Sequence, residues 1–249
     1  MGTIDDALRV LHGRNRILVF TGAGISTDSG IPDFRGPEGV WTREDPADFT
    51  IERYLADPEV RRRSWQRRVT IGFLDATPNR GHLAVTRLWE SGRMVGCITQ
   101  NVDGLHRAAG LPESALAELH GSAATTSCLA CGATVPTGAI RERLESGEDD
   151  PPCRVCGGIL KADVVLFGEV LPRTAMARAA AMAETADAVL AVGTTLGVYP
   201  AAGFPLTVAS RGMPFVIINQ GRTDLDDLAD AIVAAPAADA LETLVSRLG

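Results

Sequence analysis

The sequence predicts an α/β fold built on a doubly wound parallel sheet, and three observations carry that reading. Four short apolar runs, residues 17–20, 94–99, 188–192 and 215–218, alternate with stretches of helical periodicity. Each run ends in small or polar residues: Gly22-Ala23-Gly24, Gln100-Asn101-Val102-Asp103, Gly193-Thr194-Thr195 and Asn219-Gln220-Gly221. Such endings suit the carboxyl ends of parallel strands, where open α/β sheets bind ligands. Two CxxC pairs interrupt the pattern and mark a separate small module.

The elements follow in order. Ile4, Ala7, Leu8 and Leu11 have helical spacing and precede the first strand, 17–20. The turn Gly22-Ala23-Gly24 comes next, and Ser26, Thr27, Asp28 and Ser29 offer capping side chains for a helix starting behind it. A strand, a glycine turn and a helix N-terminus make a cradle for phosphate, because free N–H groups and the helix dipole face the anion. The third glycine of the dinucleotide fingerprint is absent, since Thr27 stands there, so the turn alone is equally an ordinary βα turn. Residues 37–78 are polar, with scattered aromatics. Asp57-Pro58-Glu59 starts a helix whose arginines at 61–63, 67 and 68 read as a solvated face. Leu83, Val85, Leu88 and Trp89 give another helix, with His82 at its start as a cap or core hydrogen-bonder.

The second strand, 94–99, runs into the polar cluster of Thr99, Gln100, Asn101 and Asp103, which reads either as a ligand site or as a turn capping the next helix. Cys97 reads as a small buried apolar group. A helical-looking stretch leads to His120-Gly121. Residues 163–167 form a strand closed by Gly168-Glu169, and 174–185 an Ala- and Met-rich helix whose apolar stripe is core. A short strand at 231–234 and a helix at 239–247 end the chain.

Composition bounds the function. The 249 residues carry a net charge of −7, which disfavours direct nucleic-acid binding, and 45% are apolar, enough for a sizeable core. No apolar run is long enough to span a bilayer, the N-terminus lacks the pattern of a secretory signal, and Asp6 removes a myristoylation motif at Gly2. A cytoplasmic location is the expectation, without membrane association. Cys128, Cys131, Cys153 and Cys156 form two pairs separated by 21 residues, with Gly132 and Gly157-Gly158 behind them. In a reducing compartment this is the tetrahedral Cys₄ zinc pattern, and four thiolates leave no open position for chemistry.

The segments GAGISTDSGIPDFRG, TQNVDGLHRAAG, VLFGEVLP and VGTTLGVYPAA, with the two CxxC pairs, stand in the order and spacing of the sirtuins. The chain resembles these NAD-dependent protein-lysine deacylases over nearly its whole length. That resemblance implies a Rossmann-like domain of residues 1–36, 79–121 and 160–249. It also implies a cofactor-binding loop and helical insertion at 37–78 and a zinc-ribbon module at 122–159.

The resemblance also implies roles. His120 would be the general base, with Asn101 and Asp103 acting in nicotinamide cleavage. NAD would lie along Gly22, Ala23, Gly24 and Ser26 at the diphosphate, with Ile31, Asn101 and Asp103 around nicotinamide. Phe34, Arg35 and Gln100 would lie toward its ribose, and Gly193, Thr194, Thr195, Asn219 and Gln220 toward adenosine, while Asp33, Trp41, Val102, Gly221 and Ala237 would also bind the cofactor. Thr195 replaces the family's usual serine and keeps the hydroxyl. Acyl-lysine protein or peptide would add as a strand between Gly168-Glu169 and Val198-Tyr199, bordered by Val165 and Phe167. The products would be free lysine, nicotinamide and O-acyl-ADP-ribose. Transfer of ADP-ribose to protein, and a non-catalytic NAD-sensing module, are the competing readings. Members that prefer succinyl or malonyl lysine carry Tyr-x-x-Arg in the helical insertion. Here the stretch reads Trp65-Gln66-Arg67-Arg68, so an uncharged acyl group is expected, with Trp65 facing the core and Arg68 solvated. Nothing in the sequence fixes the oligomeric state.

Overall fold

A computed structural model describes residues 2–70, 72 and 74–248. The elements are α1 (Ile4–Leu11), β1 (Ile17–Thr21), α2 (Ile51–Ala56), α3 (Pro58–Thr70), α4 (Arg80–Glu90), β2 (Met94–Thr99), α5 (Leu105–Ala108), β3 (Leu116–Glu118) and β4 (Gly121–Cys128). After these come β5 (Thr134–Pro136), α6 (Thr137–Glu145), β6 (Leu160–Val164), α7 (Arg173–Thr185), β7 (Ala188–Val192), α8 (Gly203–Ser210), β8 (Phe215–Ile218), β9 (Ala231–Val233) and α9 (Ala237–Leu248).

Six strands make one sheet in the order β3-β2-β1-β7-β8-β9, and every pairing in it is parallel. The strand order reverses between β1 and β7, which opens a crevice at their carboxyl ends. All five residues of β1 and all five of β7 are buried. That burial explains their unbroken apolar runs, because both faces are covered. On one face, Leu11, Val85, Leu88, Leu241 and Leu244 from α1, α4 and α9 pack on Val19, Leu190 and Val216. On the other, Ala179, Met182, Ala183 and Val208 from α7 and α8 pack on Phe20, Ile98, Val189 and Ile217.

A second sheet, in the order β5-β4-β6, is antiparallel. Its core holds Cys128, Cys153, Ile140 and Leu160 together with Tyr54 from α2 and Trp65 from α3, so the helical insertion and the cysteine module share one apolar cluster. The Tyr54 hydroxyl donates to the Leu160 carbonyl at 2.7 Å, which fixes α2 to β6.

Three expectations change. The glycine turn is followed by two 3₁₀ turns, Ala23–Ile25 and Thr27–Ser29, and not by an α-helix. Gly30 at φ 82° ends the run, and Pro32 disfavours a helical Ile31. The strand expected at 163–167 lies at Leu160–Val164 and belongs to the small sheet, because Leu160, Ala162 and Val164 alternate inward there. The arginines of α3 are only in part a solvated face: Arg63 is exposed, but the others are not. The Arg61 and Arg67 side chains are only 11% and 12% exposed and pair with Asp150 and Glu44, and Arg68 is half-buried.

Candidate active site and metal centre

The floor of the crevice is made by two glycine turns pressed together. Gly24 N–H donates to the Gly193 carbonyl at 2.9 Å, and Gly22 N–H to the Val192 carbonyl at 3.1 Å. A Cβ on Gly22 would meet the Gly193 oxygen at 2.8 Å, and one on Gly193 would meet Ile25 N at 2.4 Å. Gly193 itself sits at φ 62°. The glycines thus let the ends of β1 and β7 interlock. The N–H groups of Gly24, Ile25 and Ser26 donate to Gly193, Gly22 and Ala23, so they are not the free array that an α-helix N-terminus would offer. Ala23 lies at the head of this turn.

The end of β2 is tied across the crevice. Thr194 Oγ1 donates to Gln100 Oε1 at 2.8 Å. Asn101 Nδ2 donates to the Gly22 carbonyl at 3.2 Å and to Ser26 Oγ at 3.0 Å. Ser26 Oγ donates to Asp103 Oδ2 at 2.7 Å, and the other Asp103 oxygen accepts from Leu105 N–H at 2.9 Å. His82 Nδ1 accepts from Asn79 N–H, which leaves the ring proton on Nε2, 3.3 Å from Ser26 Oγ. The serine hydroxyl therefore donates once and accepts twice, and all its capacity is used.

Beneath it runs a second chain. Thr21 Oγ1 donates to Thr99 Oγ1 at 2.8 Å and lies 2.9 Å from His106 Nε2, while Asn101 N–H donates to Thr99 Oγ1 at 3.1 Å. The His82 and His106 rings meet edge to face, 5.0 Å apart. Burial depresses both basicities, His106 down to about 3. His82 was legible as a helix cap, but nothing in its spacing pointed to Ser26.

His120 follows β3. Its Nδ1 lies 2.9 Å from the Gln100 carbonyl oxygen, and its own carbonyl accepts from Val165 N–H at 2.8 Å. Burial holds the imidazole below its ordinary 6.5, against the opposing pull of the Gln100 bond. Val102, half-buried, accepts from Ala123 N–H at 2.8 Å and joins this rim to β4.

Other site residues line the surroundings. Ile31 is 4% exposed and Arg35 is exposed. Asp33 Oδ1 accepts from Gly36 N–H at 2.8 Å. Phe34 contacts Trp41 at 5.1 Å and Trp41 contacts Phe49 at 4.6 Å, and the Arg67 guanidinium stands 4.0 Å over the Phe49 ring. This clamp from α3 onto the 33–49 loop was not legible, because its partners are far apart in the chain. Thr195 is half-buried and its carbonyl accepts from Asp224 N–H. Asn219 Nδ2 donates to the Gly221 carbonyl at 2.9 Å, Gln220 is exposed, and Ala237 is buried at the start of α9.

The strip after β6 is anchored by backbone bonds. Phe167 N–H donates to the Phe49 carbonyl, and Ile51 N–H to the Phe167 carbonyl, so both backbone groups of Phe167 are engaged. Gly168 at φ 91° turns the chain into Glu169. Glu169, Val170, Leu171, Arg173, Met176 and Pro200 enclose an open groove of about 420 Å³. Phe167, Val170 and Tyr199 are exposed apolar residues beside it, and Val198 is half-buried.

Cys128, Cys131, Cys153 and Cys156 converge, with all Sγ atoms within 4.8 Å of one another. The Cys128–Cys156 and Cys131–Cys153 sulfurs are 3.5 and 3.8 Å apart. A disulfide needs about 2.05 Å, whereas tetrahedral ligands at about 2.3 Å from zinc stand ~3.8 Å apart. The residues fit a Cys₄ zinc ion. Gly132 and Gly157, at φ 74° and 75°, bend each knuckle so that both thiols of a pair face inward.

No helix among the described residues is long and apolar enough to cross a membrane. A sequence profile of the Sir2 family matches residues 22–200. NAD-dependent protein deacetylase 2 of Streptomyces coelicolor is 45% identical over 96% of this chain and its whole length. NAD-dependent protein deacetylase 1 of Bradyrhizobium diazoefficiens is 41% identical over 87% of this chain and 85% of its own. A Sir2 structure with a deacetylated p53 peptide and 3'-O-acetyl ADP-ribose superposes at a TM-score of 0.92, with 33% identity, over 99% of this chain and 98% of the other. A Sir2 complex with p53 peptide and NAD superposes at 0.86, with 32% identity, over 98% of both.

Proposed function

The chain belongs to the Sir2 family, and from that premise we propose that His120 is the general base of an NAD-dependent protein deacetylation in the crevice between β1 and β7. The enzyme removes acetyl groups from protein lysine and yields nicotinamide and O-acyl-ADP-ribose, as its relatives' names and the bound peptide, NAD and acetyl ADP-ribose of its neighbours support. One observation carries the role of His120. With Nδ1 donating to the Gln100 carbonyl at 2.9 Å, the neutral ring leaves Nε2 bare. A bare imidazole nitrogen at a crevice mouth takes a proton at cellular pH.

NAD supplies the electrophilic ribose carbon and the nicotinamide leaving group; the chain's residues do the rest. Gly22, Ala23, Gly24 and Ser26 would hold the diphosphate at the turn that closes β1. That reading rests on the position of the turn at the crevice and not on a helix dipole, since 3₁₀ turns follow β1. Asn101 and Asp103, held by Ser26, form the nicotinamide pocket with Ile31 and Val102. Gln100, fixed by Thr194, faces the ribose, with Asp33, Phe34, Arg35 and Trp41 closing over it. Gly193, Thr194, Thr195, Asn219, Gln220, Gly221 and Ala237 form the adenosine side. Asp103 supplies negative charge where positive charge develops on the ribose. The acyl-lysine peptide lies along Val165, Phe167, Gly168 and Glu169 opposite Val198 and Tyr199. Since Phe167 already uses both backbone groups, the peptide's backbone bonds fall on its neighbours.

Cys128, Cys131, Cys153 and Cys156 would hold one zinc ion, whose role is to fold the small module. Residues 1–36, 79–121 and 160–249 are the Rossmann-like domain, 37–78 the cofactor loop and helical insertion, and 122–159 the zinc module. Four cysteines arranged for metal, with no disulfide, favour a reducing compartment, and we place the protein in the cytoplasm.

The test is purified protein with NAD and a panel of acetyl, succinyl and long-chain acyl-lysine peptides. Peptide-dependent release of nicotinamide with O-acyl-ADP-ribose is expected. Transfer of labelled ADP-ribose to protein without that product would favour the transferase reading.

A further inference from the structure

Lys161 is the only lysine in the sequence; every other basic chain besides histidine is arginine. It is also buried, at 8% exposure, on β6. Its ammonium donates to the Val164 carbonyl at 2.7 Å and the Ala162 carbonyl at 3.2 Å, and lies 3.1 Å from Glu169 Oε2. That same carboxylate oxygen accepts from Leu166 N–H at 2.8 Å, and Glu169 N–H returns to the Leu166 carbonyl at 3.0 Å. One ammonium therefore fastens both ends of the segment 164–169. A compact ammonium gives three divergent bonds in this space, which a planar guanidinium does not.

The segment so fastened carries Val165, Phe167 and Gly168. It is bound on one side to His120, through Val165 N–H, and on the other to the 49–51 segment, through Phe167. We propose that Lys161 is a positioning residue for the acyl-lysine peptide: its ammonium, through Glu169 and the Val164 carbonyl, sets the backbone of 165–168 to which the peptide binds. The inference rests on the groove assignment made above. It needs no contact between Lys161 and substrate. The Glu169 carboxylate is held on the protein side by Lys161 and Leu166, so it shapes the turn at Gly168.

The experiment is steady-state kinetics of Lys161→Met with acetyl-lysine peptide and NAD varied separately, alongside zinc content and NAD binding by calorimetry. The KM for peptide should rise about tenfold, with NAD affinity and zinc content unchanged and the smaller change in kcat. Hydrogen exchange should rise in the segment 164–170 and not in β1 or β7. Lys161→Arg should lie between wild type and Lys161→Met. An unchanged peptide KM, or a parallel loss of NAD affinity and zinc, would overturn the proposal in favour of a general structural role. Should Lys161→Met not fold, Lys161→Gln carries the same measurement and the same two outcomes. Phe167→Ala and Tyr199→Ala separate the two levels. If they raise the peptide KM and Lys161→Met does not, only the role of Lys161 fails; if neither raises it, the groove assignment fails.

Discussion

His120 Nδ1 lies 2.9 Å from the Gln100 carbonyl oxygen, so the ring carries its proton on that side and leaves Nε2 bare. The backbone at the end of β2 thereby sets the tautomer of a residue twenty positions later. Burial then keeps the ring neutral, because its basicity falls below the ordinary 6.5. A base must be unprotonated to act, so the midpoint of the acid limb of kcat/KM should lie below the ordinary histidine value of 6.5. His120→Ala should lower product formation by about 10²–10⁴-fold and leave NAD binding intact. Calorimetry showing lost NAD binding, or an acid limb above pH 7, would contradict this assignment.

The Ser26 hydroxyl is the joint between Asn101, Asp103 and His82. Ser26→Ala leaves one half-buried carboxylate oxygen and two donors without that partner, at ~1–3 kcal/mol for an unsatisfied buried group. Nicotinamide cleavage should suffer most, followed as exchange of labelled nicotinamide. Asn101→Ala and Asp103→Ala should damage the same step. Full exchange activity in Asn101→Ala would remove it from the pocket.

Much of this arrangement was legible, for reasons specific to each part. β1, β2, β7 and β8 announced themselves because strands buried on both faces need unbroken apolar runs, and their polar ends marked the crevice. The cysteines were legible because metal geometry fixes ligand spacing. β4, reading Gly121-Ser122-Ala123-Ala124-Thr125-Thr126-Ser127-Cys128, was not, since small polar residues have no strand signature until β6 pairs with them. The true site of β6 was hidden by a stronger apolar run one turn later, 164–167. The chain from His106 to Thr99 joins residues with no common local pattern, so only the fold brings them together.

Those buried histidines set an acid limit on stability. His82 and His106 have folded basicities depressed by burial, His106 to about 3, while an unfolded histidine titrates near 6.5. Below 6.5 the unfolded chain binds more protons, so stability is full above that pH and falls toward pH 3. The loss approaches ~1.4 kcal/mol per pH unit for each histidine. Tm should drop steeply between pH 6.5 and 4, and His106→Gln should flatten the slope. An equally steep slope in that variant would clear His106 of the effect.

Metal content tests the small module directly. Elemental analysis should find one zinc per chain, and a chelator should lower Tm, because binding free energy is folding free energy here. Cys131→Ser should reduce both zinc and soluble yield. Trp65 and Tyr54 share the module's core, so zinc loss should also loosen α2 and α3, read as faster hydrogen exchange there. Wild-type protein free of zinc would sink the assignment.

The last prediction concerns the acyl group. Trp65 is 1% exposed and packs in the cluster with Leu160 and Ile140, so the position offers no hydroxyl to a distal carboxylate. Its indole nitrogen is buried without a partner among the described residues, and an indole N–H donates only. Arg68 is half-buried, and burial lowers its basicity while the neighbouring Tyr54 opposes that shift. A succinyl carboxylate held by Arg68 alone would lose several kcal/mol of desolvation with part of its hydrogen bonding unmet, about the scale of a broken buried pair. Acetyl lysine should therefore be preferred over succinyl lysine in kcat/KM on one peptide sequence. Succinyl winning by about tenfold, some 1.4 kcal/mol, with Arg68→Met abolishing the advantage, would show that α3 selects carboxylates after all.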